Sequence, residues 1–104
     1  MQLTKDTDKI FCLIYEEYLN RRKADIPKSE AKSFQSPGVL QTEFLQGIPE
    51  DDICEALAEL EKNKLITRYI HDDFRLSDDG IIFMENRFKN SLKEVTDFIA
   101  KFIP

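Results

Sequence analysis

The sequence predicts a mainly helical fold with one β-hairpin, in the α+β class. Apolar residues recur at three- and four-residue spacings in several stretches, which is the pattern of amphipathic helices. Residues 65–76 switch to β-branched and aromatic residues around a polar turn, which is the pattern of a hairpin. With 104 residues, the chain has the length of one domain, here predicted to span residues 1–104 with a core over about residues 6–80.

The first predicted helix covers residues 6–23. Apolar side chains form one stripe between Ile10 and Leu19. Thr4 or Asp6 is suited to cap the start of the helix. The basic run at 21–23 favours its end through the helix dipole.

A short second helix is predicted over residues 27–34. Pro27 is suited to the first turn of a helix, and Phe34 is expected to face inward. A turn follows at 36–38. The pattern of residues 39–46 is ambiguous, and an irregular connection is predicted there, with one helical turn as an alternative for part of it.

The third predicted helix covers residues 49–64 and leads into the hairpin. Pro49 occupies its first position. The strands are predicted at 65–70 and 74–76, with a turn at 71–73.

The last predicted helix runs from Asp78 to Ile103, with Ser77 as its cap. Such a helix is ~39 Å long at about 1.5 Å per residue. It has an apolar stripe at four- and three-residue spacings, typical of a helix that packs on another helix. The stripe predicts a homodimer, and packing on the first helix is the alternative. Its members are Phe88, Leu92, Val95, Ile99 and Phe102.

Two short phrases resemble those of winged-helix (winged helix-turn-helix) proteins. Residues 56–66 read ALAELEKNKLI, and residues 76–81 read LSDDGI after a ten-residue interval. The resemblance covers roughly residues 6–90 in element order, and the chain is similar to small bacterial winged-helix proteins. It implies three helices, a two-stranded wing and a long C-terminal helix. It also implies a regulatory role, in most members through DNA contacts of the third helix, although fold does not determine the partner.

The third helix is too acidic for ordinary base reading. Residues 49–64 contain six acidic and two basic residues, a net charge of −4, whereas DNA attracts Lys and Arg. Glu55, Glu59 and Glu61 are predicted to form an acidic interaction face. The chain is therefore predicted to be a regulatory module that binds a protein partner, in agreement with its net charge of −5.

A DNA-binding transcriptional regulator is the alternative. Residues 21–32 contain five basic and two acidic residues, a net charge of +3, which suits phosphate contacts. Charge compensation at a helix end is the simpler explanation of this cluster. Its basic members are Arg21, Arg22, Lys23, Lys28 and Lys32.

No enzyme chemistry is predicted. His71 is the only histidine and belongs to the predicted turn, and the two cysteines and one histidine do not supply a zinc site. No phosphate-binding glycine loop is present, so neither a cofactor nor a small-molecule substrate is expected. The longest apolar run, residues 10–15, is far shorter than the about 20 residues that span a bilayer. Cys12 and Cys54 suggest no disulfide framework, and a cytoplasmic location is predicted.

Overall fold

The computed structural model describes residues 2–89 and 91–102 and shows a mainly helical chain with one small antiparallel sheet. The α+β class predicted from the sequence is confirmed. A 3-10 turn at Ile70–Asp72 joins the second and third strands. The elements are α1 (Lys5–Lys23), α2 (Lys28–Ala31), β1 (Ser33–Phe34), α3 (Pro37–Glu43), α4 (Glu50–Lys62), β2 (Ile66–Arg68), β3 (Phe74–Leu76), α5 (Asp78–Phe88) and α6 (Leu92–Ala100).

Helix α1 is the element on which α2, α4 and α6 pack. Its predicted span is confirmed to within one residue. The hydroxyl of Thr4 caps it by accepting a hydrogen bond from the Thr7 N–H at 3.4 Å. Helices α4 and α6 both pack on α1. The core is one cluster to which all the helices and strands contribute. Its largest fully buried side chains include Tyr15, Phe11, Phe74, Ile10 and Ile14.

The sheet has three strands in the order β1-β3-β2, where sequence reasoning predicted two. Strands β2 and β3 form the predicted hairpin, with Ile66 opposite Leu76. Strand β1 pairs with the other side of β3, so that the rings of Phe34 and Phe74 stack with centroids 5.2 Å apart. A two-residue strand is too short to show an alternation of apolar and polar residues in the sequence. It is recognised only by its pairing with β3, which is distant in the sequence.

Two predictions for residues 27–46 were wrong. Helix α2 ends at Ala31, and Phe34 is buried from a strand rather than from that helix. Residues 39–43 of the predicted irregular connection belong to α3, which begins at Pro37 and buries Leu40, whereas residues 44–46 lie outside any helix. A helix of seven residues is stabilised by its contacts and not by its own propensity, so its sequence pattern is weak.

The long C-terminal helix predicted over residues 78–103 was also wrong, because the structure has two helices there. Helix α5 ends at Phe88, and Lys89 adopts the left-handed conformation with φ of 51°. Ser91 then caps α6 by accepting a hydrogen bond from the Glu94 N–H at 3.1 Å. A serine followed three residues later by a glutamate has the spacing of a capping box, which the continuous apolar stripe obscured. The predicted end at Ile103 lies outside the described residues.

The start of α5 packs directly on the connection between α4 and β2. The Ser77 hydroxyl caps α5 as predicted, accepting from the Gly80 N–H at 2.9 Å, and donates to the carbonyl of Lys64 at 2.7 Å. A Cβ atom on Gly80 would overlap the carbonyl oxygen of Leu65. The glycine of the LSDDG phrase is therefore required by this close contact.

Helices α5 and α6 are fastened to α1 by an arginine. Both terminal nitrogens of Arg87 bind the carboxylate of Asp8, at 2.6 and 2.9 Å. The hydrogen bond to Asp8 raises the pKa of Arg87 despite its partial burial. Its guanidinium also lies 4.4 Å from the ring centroid of Phe98, so one side chain connects three helices.

The apolar stripe that was predicted to form a dimer interface packs largely within its own chain. Phe88 and Val95 are buried. The Thr96 hydroxyl donates to the carboxylate of Glu16 at 2.8 Å, which fixes α6 on α1. The half-buried members of the stripe are Leu92, Ile99 and Phe102.

Candidate interaction surfaces

Helix α4 turns one face to the core and leaves the opposite face exposed. Ile53, Leu57 and Leu60 are fully buried. Asp51 and Glu55 are exposed on the other side. Within residues 2–89 and 91–102, no hydrogen bond or ion pair engages the Glu55 carboxylate. Glu55 is therefore exposed, whereas its contact with a partner stays a prediction.

Glu59, the second residue of the predicted acidic face, is used inside the fold. Its carboxylate accepts hydrogen bonds from the N–H and hydroxyl of Thr4 at 2.8 and 2.9 Å, and from the hydroxyl of Thr7 at 2.8 Å. Burial by itself would raise the pKa of Glu59, but these hydrogen bonds outweigh it and hold the pKa below its ordinary value. Glu59 fastens the start of α1 to α4.

Glu61, the third residue of that face, is paired with the hairpin. The Nε and Nη2 atoms of Arg68 both donate to Glu61 Oε1, at 3.0 and 2.9 Å. Both side chains are partly exposed, so the pair contributes little to stability. It nevertheless aligns β2 with the last turn of α4.

The tip of the hairpin exposes two large apolar side chains. Ile70 is 81% exposed and Tyr69 is 52% exposed. His71 and Asp72 follow with φ of 69° and 64°, a tight left-handed turn that projects the tip outward. Large exposed apolar side chains are typical of surfaces that bind a partner.

The hairpin tip lies beside the first half of α4. Burial raises the pKa of the Cys54 thiol, and the negative charges of Glu50, Asp72 and Asp51 raise it further. Asp72 of the hairpin therefore acts on the same thiol as the acids of α4. We define the acidic surface as Asp51, Asp52, Glu55 and Asp72, all of which are exposed. The ring of Tyr69 lies on the side of the hairpin that faces β1, with the Arg75 guanidinium 5.7 Å from its centroid.

Arg21, predicted as a phosphate contact, is a structural residue. Its Nη1 donates to the carbonyls of Ser33 and Ala31 at 2.8 and 3.3 Å, and its Nε donates to Glu17 at 2.9 Å. Its guanidinium lies 4.4 Å from the ring centroid of Phe34. Arg21 thereby satisfies the free edge of β1 through Nη1 and binds Glu17 through Nε, so only the donors of Nη2 remain for a ligand phosphate.

Three other residues of the basic cluster meet around one groove. Arg22, Lys23 and Lys28 line it, and Lys32 does not. The groove has a volume of about 560 Å³. We call it the basic groove. Its remaining lining residues are Tyr18, Leu19, Glu85 and Leu92.

The sequence matches no family model, and neither a curated protein nor a solved structure is similar to it. The function is therefore inferred from the two surfaces just described.

The Cys12 thiol and the His71 imidazole lie in different surroundings, the first buried and the second exposed. Burial, together with the charge of Asp8, raises the pKa of the Cys12 thiol to about 12, so this thiol keeps its proton at neutral pH. His71 is exposed on the hairpin tip. Among the described residues, no group of three or more potential ligands has the geometry to hold a metal ion. None of the described helices is long and apolar enough to cross a membrane.

Proposed function

We propose that this chain is a non-enzymatic regulatory module of the winged-helix type, which binds a basic protein partner through its acidic surface. The element order supports the fold proposal: α1, β1, α3 and α4 are followed by the β2–β3 hairpin, and β1 completes the sheet. In a winged helix, α4 would be the recognition helix and the hairpin would be the wing. The exposed acids of α4, together with the exposed apolar side chains of the hairpin tip, are the observation that favours a protein partner.

A protein matches this surface better than DNA does. Asp51 and Glu55 would face a phosphate backbone at the position where a winged helix reads DNA, and like charges repel. A basic protein provides ammonium and guanidinium groups for these carboxylates. It also offers apolar side chains that cover Ile70 and Tyr69, and such contacts supply most of the binding free energy at protein interfaces.

A DNA-binding regulator is the alternative proposal. The observation that favours it is the convergence of Arg22, Lys23 and Lys28 on one groove. The internal role of Arg21 removes one of the five basic residues from this alternative. Binding of DNA to the remaining cationic side chains would depend on contacts with its phosphates. The affinity would therefore fall steeply as the salt concentration rises.

The test is a titration with two labelled probes at low salt, one a peptide of lysine and leucine residues and the other a mixed-sequence DNA duplex. We expect the peptide to bind and the duplex not to bind. The variant Asp51→Lys with Glu55→Lys should weaken peptide binding about tenfold or more, which corresponds to about 1.4 kcal/mol. Ile70→Ser should weaken it independently, because it removes the exposed apolar contact.

The matched control changes the same number of charges elsewhere. Glu30 and Glu43 are exposed acids of α2 and α3, and their joint replacement by lysine should leave peptide binding within about twofold. Equal weakening by both pairs would show that net charge, and not the acidic surface, attracts the peptide. Duplex binding with a steep salt dependence would support the DNA alternative instead.

A further inference from the structure

The basic groove lies between four helices and is far from the acidic surface. Tyr18, Leu19, Arg22 and Lys23 contribute from the last turns of α1, Lys28 from α2, Glu85 from α5 and Leu92 from α6. Thr7, which contacts Glu59 of α4, precedes Arg22 by roughly 22 Å along α1 at about 1.5 Å per residue. A ligand in the groove would therefore leave the acidic surface uncovered.

The three cationic side chains of the groove form few hydrogen bonds or ion pairs with the described part of the protein. Lys28 is half exposed, and its Nζ is 4.0 Å from the exposed carboxylate of Asp78, a distance at which the attraction is weak in water. Arg22 uses Nη1 to donate to the carbonyl of Ile26 at 3.1 Å, which leaves other donors of its guanidinium available. Lys23 has no ion pair within the described residues.

The remaining lining combines an apolar patch with one acceptor. Leu19 and Leu92 are half-buried at the groove, and Tyr18 is buried beneath it. Burial raises the pKa of Tyr18, with Arg22 opposing and Glu85 reinforcing the shift, so both charged groups lie close to this phenol. No described residue donates a hydrogen bond to the half-buried Glu85 carboxylate. The groove therefore contains cationic side chains, apolar side chains and one hydrogen-bond acceptor. This acceptor is the Glu85 carboxylate, which has no donor among the described residues.

We propose that the basic groove binds an acidic peptide segment with one bulky apolar side chain. The apolar side chain packs on Leu19 and Leu92, and the flanking carboxylates bind Arg22, Lys23 and Lys28. A backbone N–H of the peptide donates to Glu85. This site is independent of the acidic surface, and together the two would let the module join an acidic and a basic partner.

Glu85 favours a peptide over a nucleic acid. The phosphodiester backbone that the cations would bind has no N–H donor for this carboxylate, and only the bases of a nucleic acid carry N–H groups. A peptide backbone has a donor at every residue except proline. The concave shape also suits a short segment better than a rigid duplex, because a duplex contacts a broad surface through many phosphates.

The test measures the anisotropy of a labelled peptide with one phenylalanine between glutamates, at low salt. We expect binding at one site, although the protein has a net charge of −5 and repels the peptide overall. Arg22→Glu with Lys28→Glu should weaken binding about tenfold or more. Replacing the phenylalanine of the peptide with glycine should also weaken it several-fold, because the apolar contact is lost.

Matched controls separate the groove from general charge. Lys5 and Lys62 are exposed outside the groove, and Lys5→Glu with Lys62→Glu should leave binding within about twofold. Circular dichroism checks that each variant is folded. Equal weakening by both pairs, or equal binding of the glycine peptide, would overturn the proposal. So would displacement of the peptide by single- or double-stranded DNA at lower concentration, or self-association that depends on Arg22 and Lys28. Displacement by DNA would indicate that a nucleic acid occupies the groove. Self-association would indicate that a copy of this chain occupies it.

Discussion

The guanidinium of Arg21 binds groups from three neighbouring segments. It joins Glu17 in α1 to the carbonyl of Ala31 in α2 and the carbonyl of Ser33 in β1. A buried edge strand needs partners for its outward carbonyls, and arginine supplies several donors in a fixed plane. A residue that resembles a surface cation in the sequence is therefore part of the scaffold.

Arg21→Ala should lower the free energy of unfolding by about 2–3 kcal/mol, because it leaves partly buried carbonyls without their charged donor. Urea denaturation followed by circular dichroism measures the change. Lys23→Ala, an exposed residue two positions away, should change stability by less than about 0.5 kcal/mol. If the two variants are equally stable, the contacts of Arg21 contribute nothing measurable.

Glu59 provides a pH-dependent contribution to stability. Its pKa is lower in the folded protein than its ordinary value of 4.5, so the unfolded chain binds the proton more tightly. The stabilisation is fully present above pH 4.5 and is lost as the pH falls through the folded pKa. Glu59→Gln should therefore be less stable than the unmodified chain at pH 7, and the difference should shrink on acidification. Urea titrations at several pH values test this, and a difference that does not depend on pH would contradict it.

At the scale of elements, the break between α5 and α6 determines how the C-terminal region packs. The apolar positions continue across the break with helical spacing, and a straight helix would lead away from α1. Lys89 in the left-handed conformation and the cap at Ser91 redirect the chain, so that Val95 is buried and Thr96 reaches Glu16. A local conformation worth about 1 kcal/mol thus decides where a whole helix lies.

Lys89→Gly should raise the free energy of unfolding by up to about 1 kcal/mol, because glycine adopts the left-handed conformation without a steric penalty. Asn86→Gly is the matched control, since Asn86 is exposed within α5. That change should lower stability by about 0.5–1 kcal/mol. Thermal and urea denaturation distinguish the two signs. Destabilisation by both glycines would indicate that Lys89 is not left-handed in solution.

At the scale of the molecule, charge is separated along α1. Asp52 and Glu55 of the acidic surface line a shallow groove with Thr4 and Thr7 at the start of this helix, and the basic groove lies at its end. The net charge of −5 does not reveal this separation of acidic and basic side chains. An adaptor between two partners of opposite charge needs two surfaces that do not overlap, and this arrangement separates them.

The oligomeric state is also a property of the whole molecule. The sequence predicts a dimer through the C-terminal stripe, but Phe88 and Val95 are buried within their own chain. The three half-buried members expose little area compared with the about 800 Å² per partner of a typical stable interface. We therefore expect light scattering to report a monomer. A dimer that Ile99→Glu dissociates would support the stripe instead.

Much of the fold could be predicted from local patterns. The stripe of α1, the cap at Ser77 and the β2–β3 hairpin depend on residues close together in the chain, and all three are present. Strand β1 and helix α3 were missed, because each is short and exists through contacts with distant residues. Of the predicted acidic face, Glu55 is exposed as expected, whereas Glu59 and Glu61 have partners far away in sequence or in the hairpin.

The sequence by itself determined the fold class, the position of the first helix and the hairpin, and the uneven distribution of charge, because periodicity, capping and charge are local properties. Only the tertiary structure decided which charges are free. Arg21 and Glu59 resemble other charged residues near them in the sequence. Apart from Glu17, which is four residues from Arg21, their partners lie 10 to 55 residues away. Whether a charged side chain faces a ligand or supports the scaffold depends on which distant groups the fold brings within hydrogen-bonding distance.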